Sequence, residues 1–556
     1  MFAGLHLVSL SRAGRWAALA LALAAPGSGL PGLPGGGSRP RAPGALRVIP
    51  PDYRAPGRLP PIVFVSRRPL EPGAVPGLGP HHRAAVTGGR LLLREPGGRL
   101  RELLPPGALH DVSDPAVSFD GRRVAFAGVT HPDSAWRIFV VELDGSRLRA
   151  VTARDPALDT RHDDLDPCWI GDDRLCFAST RFPVTSQYAG GPATNLFVLA
   201  VPRDGAASGP VRVTSERNGA DEPALDPRTG ELVFARWWFN RFEPPGSGDG
   251  SVQERAPRDS VNLWHAIALS SQGPRLVCGD PRSRRATMAY QPTFLADGTP
   301  VGTFARNLGL SPRPGPLGIQ MFPGRIGHAV RIAGAAIPDS SRQGYADALS
   351  LAAPAACAPA GLPDGRILFS FDPGGRGDFG LYVARAREGA TPIALVDLPG
   401  TLELDAAPVV TRPRPRVAPQ LAQASRPRPA TIESLSAGGT FDYLAFEVFR
   451  AGIPSVGARI RFYAVPFTEA GGTRDTAILI REIPIGPEGL VDARALPADV
   501  PLFEQIVDRE GRVLRSAHGP AHVAGFNAGL PGRESRCVGC HVGHSAERPS
   551  RRRQGP

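Results

Sequence analysis

The 556-residue chain contains no lysine. All 64 of its basic side chains are arginine, spread along the whole length, so the net charge of +12 reads as a compositional bias and not as a nucleic-acid groove. No nucleic-acid partner is expected. The one local cluster, Arg551-Arg552-Arg553, lies in a basic tail over 546–556 that reads as disordered. Methionine is almost missing, with Met1, Met288 and Met321 the complete set. Long apolar runs are absent too: the best, Trp16 to Ala25, is about half of what a helix needs to span a bilayer, so no transmembrane segment is expected beyond a signal peptide. There is no Gly-rich phosphate loop, no Gly-x-Ser-x-Gly elbow and no His-Glu-x-x-His. That removes the usual sequence grounds for a nucleotide enzyme, a serine hydrolase or a zinc protease.

What is plentiful is glycine (66) and proline (61), on a globular background of 42% hydrophobic and 21% charged residues. Both punctuate regular elements, and together they favour turn-rich β structure over long helices. The N-terminus carries Arg12 and Arg15, then the short apolar stretch, then Pro, Gly and Ser. That order predicts a secretory signal over 1–29 and a periplasmic or otherwise exported protein, with an uncleaved anchor as the alternative. Residues 30–58, rich in Gly, Pro and Arg, read as a disordered spacer.

A motif recurs. Asp114-Pro115-Ala116-Val117 leads through Asp120-Gly121 to Val124-Ala125-Phe126. Asp166-Pro167-Cys168-Trp169 leads to Leu175-Cys176-Phe177, and Glu222-Pro223-Ala224-Leu225 to Leu232-Val233-Phe234. Weaker copies begin at Gln291-Pro292-Thr293-Phe294 and Leu362-Pro363-Asp364-Gly365. Each reads as strand, tight turn, strand, with Asp-Gly pairs supplying the positive φ of the turn. A second strand–turn–strand element follows most copies, as at Ile138 to Val141 before Asp144-Gly145. Four strands repeating at roughly 50–70 residues predict the blades of a β-propeller. Six or seven blades fit 59–410, with strands at Ile62 to Val65 and Leu91 to Leu93 starting the first. Residues 411–430 form a Pro/Arg-rich linker. Beyond it, apolar stretches at Phe441 to Phe449, Ala458 to Val465, Ala477 to Ile485 and Leu502 to Val507 predict a small antiparallel β-sandwich over 431–516. The expected fold class is therefore all-β, a propeller followed by a small sandwich and a C-terminal segment.

That segment, 517–545, holds the strongest chemical signal: Cys537-Val538-Gly539-Cys540-His541. Two thiols at this spacing on a short helical turn reach the two vinyl groups of one haem, and the next residue offers an imidazole to the iron. The motif predicts one covalent haem c on Cys537 and Cys540, with His541 as the proximal iron ligand. A zinc site is the alternative, but no second ligand pair stands at the usual separation. With methionine so scarce, the distal ligand is His518 or His522, or else the iron is open. His544 follows on the proximal side and is a poor distal candidate. Of the other cysteines, Cys168 and Cys176 flank a hairpin turn and form either a disulfide or a pair of buried thiols. His162-Asp163-Asp164-x-Asp166 is the densest polar cluster in the repeats, either turn-capping aspartates or a cation site. The pair Trp237-Trp238 is expected to send one ring into the core and the other outward.

Taken in order, several features resemble the hydrazine synthase alpha subunit-like family. They are Asp166-Pro167-Cys168-Trp169 running on to Ala178-Ser179-Thr180-Arg181, Leu232-Val233-Phe234-Ala235-Arg236-Trp237, Pro501-Leu502-Phe503-Glu504-Gln505, and the terminal Cys-Val-Gly-Cys-His. The repeats also resemble those of TolB-type and WD40-like propellers. The resemblance implies a six-bladed propeller joined to a domain with c-type haem. The alpha subunit itself carries two c-type haems and a tyrosine soon after its catalytic motif. This chain has one motif and its last tyrosine is Tyr463, so only the roles of Cys537, Cys540 and His541 carry over. Three functions follow as expectations: electron transfer or redox chemistry with the propeller docking a redox partner or small-molecule substrate, a binding scaffold with a sensory or remnant haem, and a haem-dependent oxidoreductase at an open iron.

Overall fold

The repeats contain strands apolar on both faces. Ile62–Arg67, Arg123–Val129, Leu232–Phe239 and Arg366–Asp372 are buried at every position. A strand reads this way when its sheet is covered on both sides, and in a propeller each sheet is covered by its two neighbours. The computed structural model describes residues 58–243 except 159 and 189, 253–254, 262–270, 273–278, 288–305, 308, 313–322, 330–337, 351–416, and 435–538 except 447, 449–456, 467–475 and 517–518. The signal at 1–29, nearly all of the spacer, most of the linker, His518, Cys540, His541, His544 and the tail lie outside the described residues.

Among the described residues there are six four-stranded antiparallel sheets. Their first strands are Asp111–Val117, Asp164–Gly171, Ala220–Leu225, Met288–Phe294, Ala355–Gly361 and Leu402–Pro408. Each of these touches the first strand of the next sheet, and the sixth returns to the first, which closes a ring about an axis. The closure corrects the expected start of the first blade. Ile62–Arg67 pairs with Gly89–Arg94 on one side and with Leu402–Pro408 on the other. The N-terminal strands thus form the outer part of the last sheet, whose inner strand arrives at the far end of the repeats.

One face of the ring is plugged by the connection between Ile62–Arg67 and Gly89–Arg94. Its Val75 and Leu78 share a core cluster with Val112, Tyr290, Cys357 and Leu404 from four first strands. Arg83 bonds Thr194 at 3.2 Å and Asp221 at 3.4 Å, and the Trp136 indole donates to the Ala84 carbonyl at 3.0 Å.

The sandwich is two three-stranded sheets: Val491–Pro497, Thr440–Phe446 and Glu534–Val538 in one, and Ile478–Pro484, Arg459–Ala464 and Leu502–Val507 in the other. Two strands here extend the sequence expectation. Val491–Pro497 carries few large apolar residues, and Glu534–Val538 joins in parallel, not antiparallel, register beside Thr440–Phe446. The interior is built from Phe441, Ile460, Phe462, Leu496 and Leu502.

The sandwich and the segment 520–530 cover the sheet that begins with Ala220–Leu225, and this corrects the expectation for the tryptophan pair. Trp237 does enter the axial core, stacked on Trp264 at 5.4 Å. Trp238 points the other way and is equally buried at 0% exposure. It lies so close under Gly525 that a Cβ there would meet its ring at 2.1 Å. Arg236 bonds the Phe526 carbonyl, the Asn240 amide bonds the Val523 carbonyl at 3.1 Å, and Arg212 is paired with Asp499 at 2.8 Å, both side chains buried. Among the described residues no helix is long and apolar enough to cross a membrane.

Candidate functional site: an axial funnel and the haem-motif strand

Every first strand carries a β-bulge at the same place. Ser113 pairs with Ala127 and Ala116 with Ala125, so Asp114 and Pro115 together oppose Phe126. The same two-against-one step sets Asp166-Pro167 against Phe177, Glu222-Pro223 against Phe234, Gln291-Pro292 against Gly302, Ala358-Pro359 against Phe369 and Asp405-Ala406 against Phe64. The first bulged residue is left-handed in all six, with φ between 46° and 54°. Asp tolerates that region because its short side chain bonds locally, whereas Glu, Gln and Ala hold it at a cost of about 1 kcal/mol. The bulges re-aim six side chains toward the axis: Asp114, Asp166, Glu222, Gln291, Ala358 and Asp405.

These residues floor a cavity of about 530 Å³ on the face opposite the plug. Its walls are the prolines that follow the bulged residues, with Phe119, Trp169 and Phe294 above them. At the rim Arg412 lies over the Phe119 ring at 5.0 Å and donates to the Val117 carbonyl at 2.6 Å. Oxygens of Asp114, Asp166 and Glu222 all lie within 4.8 Å of one another.

Burial is the main force on all four acids, and it pushes the carboxyls of Asp166, Glu222 and Asp405 well up and that of Asp114 up. Mutual repulsion adds to the rise at Asp166, Glu222 and Asp405. The nearest buried cations stand behind the ring and are already matched, Arg67 to Asp111 at 2.9 Å and Arg83 to Asp221. The floor is therefore a dense acceptor site, and the arginines that line the same cavity are Arg228 and Arg412.

The repeat motif in the sequence names most of these residues, as starts of hairpins, without showing that they converge. The readable signal is the polar residue before proline in successive repeats. The sequence cluster His162-Asp163-Asp164-x-Asp166, by contrast, does not act as a unit. Asp164 is fully buried against Arg181 at 2.6 Å, Asp163 accepts from the Trp136 backbone N–H at 3.0 Å, and only Asp166 reaches the axis. Cys168 and Cys176 are directly opposed across their hairpin and are free thiols. Burial pushes Cys168 up to about 11 and Cys176 well above the usual thiol value.

The two described residues of the motif, Cys537 and Val538, lie elsewhere. Cys537 is backbone-paired with Ala445 near the end of Glu534–Val538, an edge strand of the sandwich that runs beside Gly273–Cys278. Gly273–Cys278 is the outermost strand of its propeller sheet. Three strand spacings, roughly 14 Å, separate that strand from the axial one, so Cys537 lies at the rim, away from the funnel. His522 is half-buried beneath Phe503, with Nε2 bonded to the Phe242 carbonyl at 2.9 Å and Nδ1 3.3 Å from the Gln505 amide. Both ring nitrogens are thus engaged, and iron ligation by His522 would cost it one of these bonds.

The fold and site define a β-propeller protein with a blind acidic funnel and an appended sandwich that carries a Cys-x-x-Cys-His segment. Among solved structures the chain is similar to the hydrazine synthase of Kuenenia stuttgartiensis, at 16% identity and a TM-score of 0.60, over 88% of this chain and 70% of that one. That likeness of fold agrees with the family resemblance read from the sequence. Weaker likenesses, to TolB from Acinetobacter baumannii (11% identity, TM-score 0.35, 63% of this chain and 67% of that one) and to the propeller domain of the Trilobed protease from Pyrococcus furiosus (10%, 0.31, 61% and 83%), involve the propeller class alone. No protein-family model and no curated protein matches the sequence.

Proposed function

We propose that the chain is an exported redox protein with one haem c, in which the propeller and sandwich act as a rigid carrier and the propeller docks a partner or substrate. The observation that carries the reading is the position of the motif. Cys537 belongs to a strand built into the sandwich, beside the outermost strand of a propeller sheet. The donor set fits the group: two thiols and an adjacent imidazole, while Cys176, Cys278 and Cys357 are sequestered in the propeller interior and Cys168 is partly covered there. Cys537 and Cys540 would hold the porphyrin and His541 the iron. The haem supplies one-electron chemistry when bound. The protein's own part is to fix it at an exposed edge within reach of a partner.

The test is an absorption spectrum, oxidised and reduced, of the full chain made in a host that matures c-type cytochromes, followed by acid–acetone extraction. Retained haem with a low-spin spectrum is the expected result. A retained high-spin haem supports chemistry at an open iron over electron transfer. A chain that folds and retains no haem overturns the reading. The binding-scaffold alternative is favoured by the funnel, and it predicts that ligand binding there survives Cys537→Ala.

A further inference from the structure

The axial floor divides its residues by what their side chains already do. Asp166 accepts from the backbone N–H of Glu222 at 3.0 Å, and Gln291 from that of Ala358 at 2.9 Å. In these pairs one blade's bulged side chain caps the next blade's bulged backbone. Gln291 shows that a neutral amide performs this task, so capping does not by itself call for acids. Glu222 stands outside the scheme. Its Oε1 is wholly buried and has no hydrogen-bond partner. A buried carboxyl oxygen left unpaired is destabilising, and here it sits beside oxygens of Asp114 and Asp166, all within 4.8 Å of one another. That is the spread of donor oxygens around a single ion with metal–oxygen distances of about 2.3–2.6 Å.

We infer that the floor of the funnel is a binding site for a divalent cation of the calcium type, held by Asp114, Asp166 and Glu222 with Asp405 beside them. The donors are all carboxylate oxygens, which selects a hard cation. The plug closes the far side, so the ion enters through the funnel and its remaining coordination positions face the cavity, open to water or to an oxygen ligand. A cation there would pair with the crowded carboxyls and satisfy the orphaned Oε1 of Glu222. The site shares no residue with the haem motif, and its test is independent of haem.

The experiment is calcium titration of the full-length protein by calorimetry near neutral pH after chelator treatment, with thermal unfolding in parallel. One calcium per chain and a higher unfolding midpoint are expected. Glu222→Gln, which keeps the side-chain shape and removes the charge, is expected to weaken binding about tenfold or more. Asp114→Asn, read the same way, stands in if Glu222→Gln fails to fold. A folded wild-type protein that gives neither heat nor a shift in midpoint with calcium, magnesium or manganese overturns the inference. Undiminished calcium binding by folded Glu222→Gln and Asp114→Asn also overturns it. An unchanged haem spectrum through the titration is expected, and failure here leaves the haem reading intact.

Discussion

His522 is held by a carbonyl on one nitrogen and an amide on the other, against the face of Phe503. With Nε2 donating to the Phe242 carbonyl, Nδ1 is left to accept from the Gln505 amide, so the ring is neutral. Burial lowers its pKa to about 4. The unfolded chain therefore takes up this proton before the folded one does, and the stability contribution is lost as pH falls from the unfolded value through 4. Partial exposure trims the effect to roughly 2 kcal/mol. Glu504, in the same corner, works in the opposite sense: burial raises it to about 7, so its contribution is present at low pH and fades as pH rises through 7. Denaturant unfolding between pH 4 and 7 should show stability falling more steeply with rising pH in His522→Gln than in the wild type, where His522 offsets Glu504. If the two profiles coincide, the buried neutral imidazole is the wrong account. A haem spectrum unmoved by the same substitution removes His522 as the distal ligand.

The bulged first strand is the element that makes the site. Ala358 is its simplest case, since it is left-handed at φ 51° with no side chain to exploit the position. Ala358→Gly should stabilise the fold by about 0.5–1 kcal/mol, because glycine adopts that region freely. The control is Ala360→Gly in the same strand, which should destabilise by about 1 kcal/mol through the ordinary cost of glycine in a strand. Chemical denaturation of both variants checks this, and an equal loss in the two would mean that the left-handed bulge carries no strain. At this scale much was legible. The apolar runs ending in Phe126, Phe177, Phe234 and Phe369 mark the second strands, and the polar–Pro pairs mark the bulges. Convergence was not legible, because the period of a repeat says nothing of which way a bulged side chain is turned. The burial of Trp238 was hidden for a related reason: its cover, Gly525, stands far along the chain, and strand alternation predicts the direction of a side chain but not what waits there.

At the scale of the molecule, propeller and sandwich are joined by buried charge. Arg212 pairs with both oxygens of Asp499 at 2.8 and 2.9 Å, and its guanidinium lies 3.9 Å from the centre of the Phe182 ring. Ser215 bonds the same carboxylate. Asp499→Ala removes the partner and leaves a buried arginine, a change that typically costs about 3–5 kcal/mol. The wild type should melt in one transition, and the variant should melt lower or in two, with the sandwich released from the sheets it covers. A melting curve unchanged by Asp499→Ala would show that apolar contact around Trp238 and Leu530 alone sets the joint.

The closure of the ring sets an order of events. Ile62–Arg67, among the first residues of the ring to be synthesised, cannot acquire its inner neighbour until Leu402–Pro408 exists. Nearly the whole set of repeats must wait, partly assembled, for a strand made last, which raises contact order and exposes unpaired edges in the interval. The thiols of Cys537 and Cys540 come later still. Any machinery that works on them therefore meets a chain whose ring has already had its chance to shut, and a failure of closure and a failure of the proposed haem attachment would be separable in time.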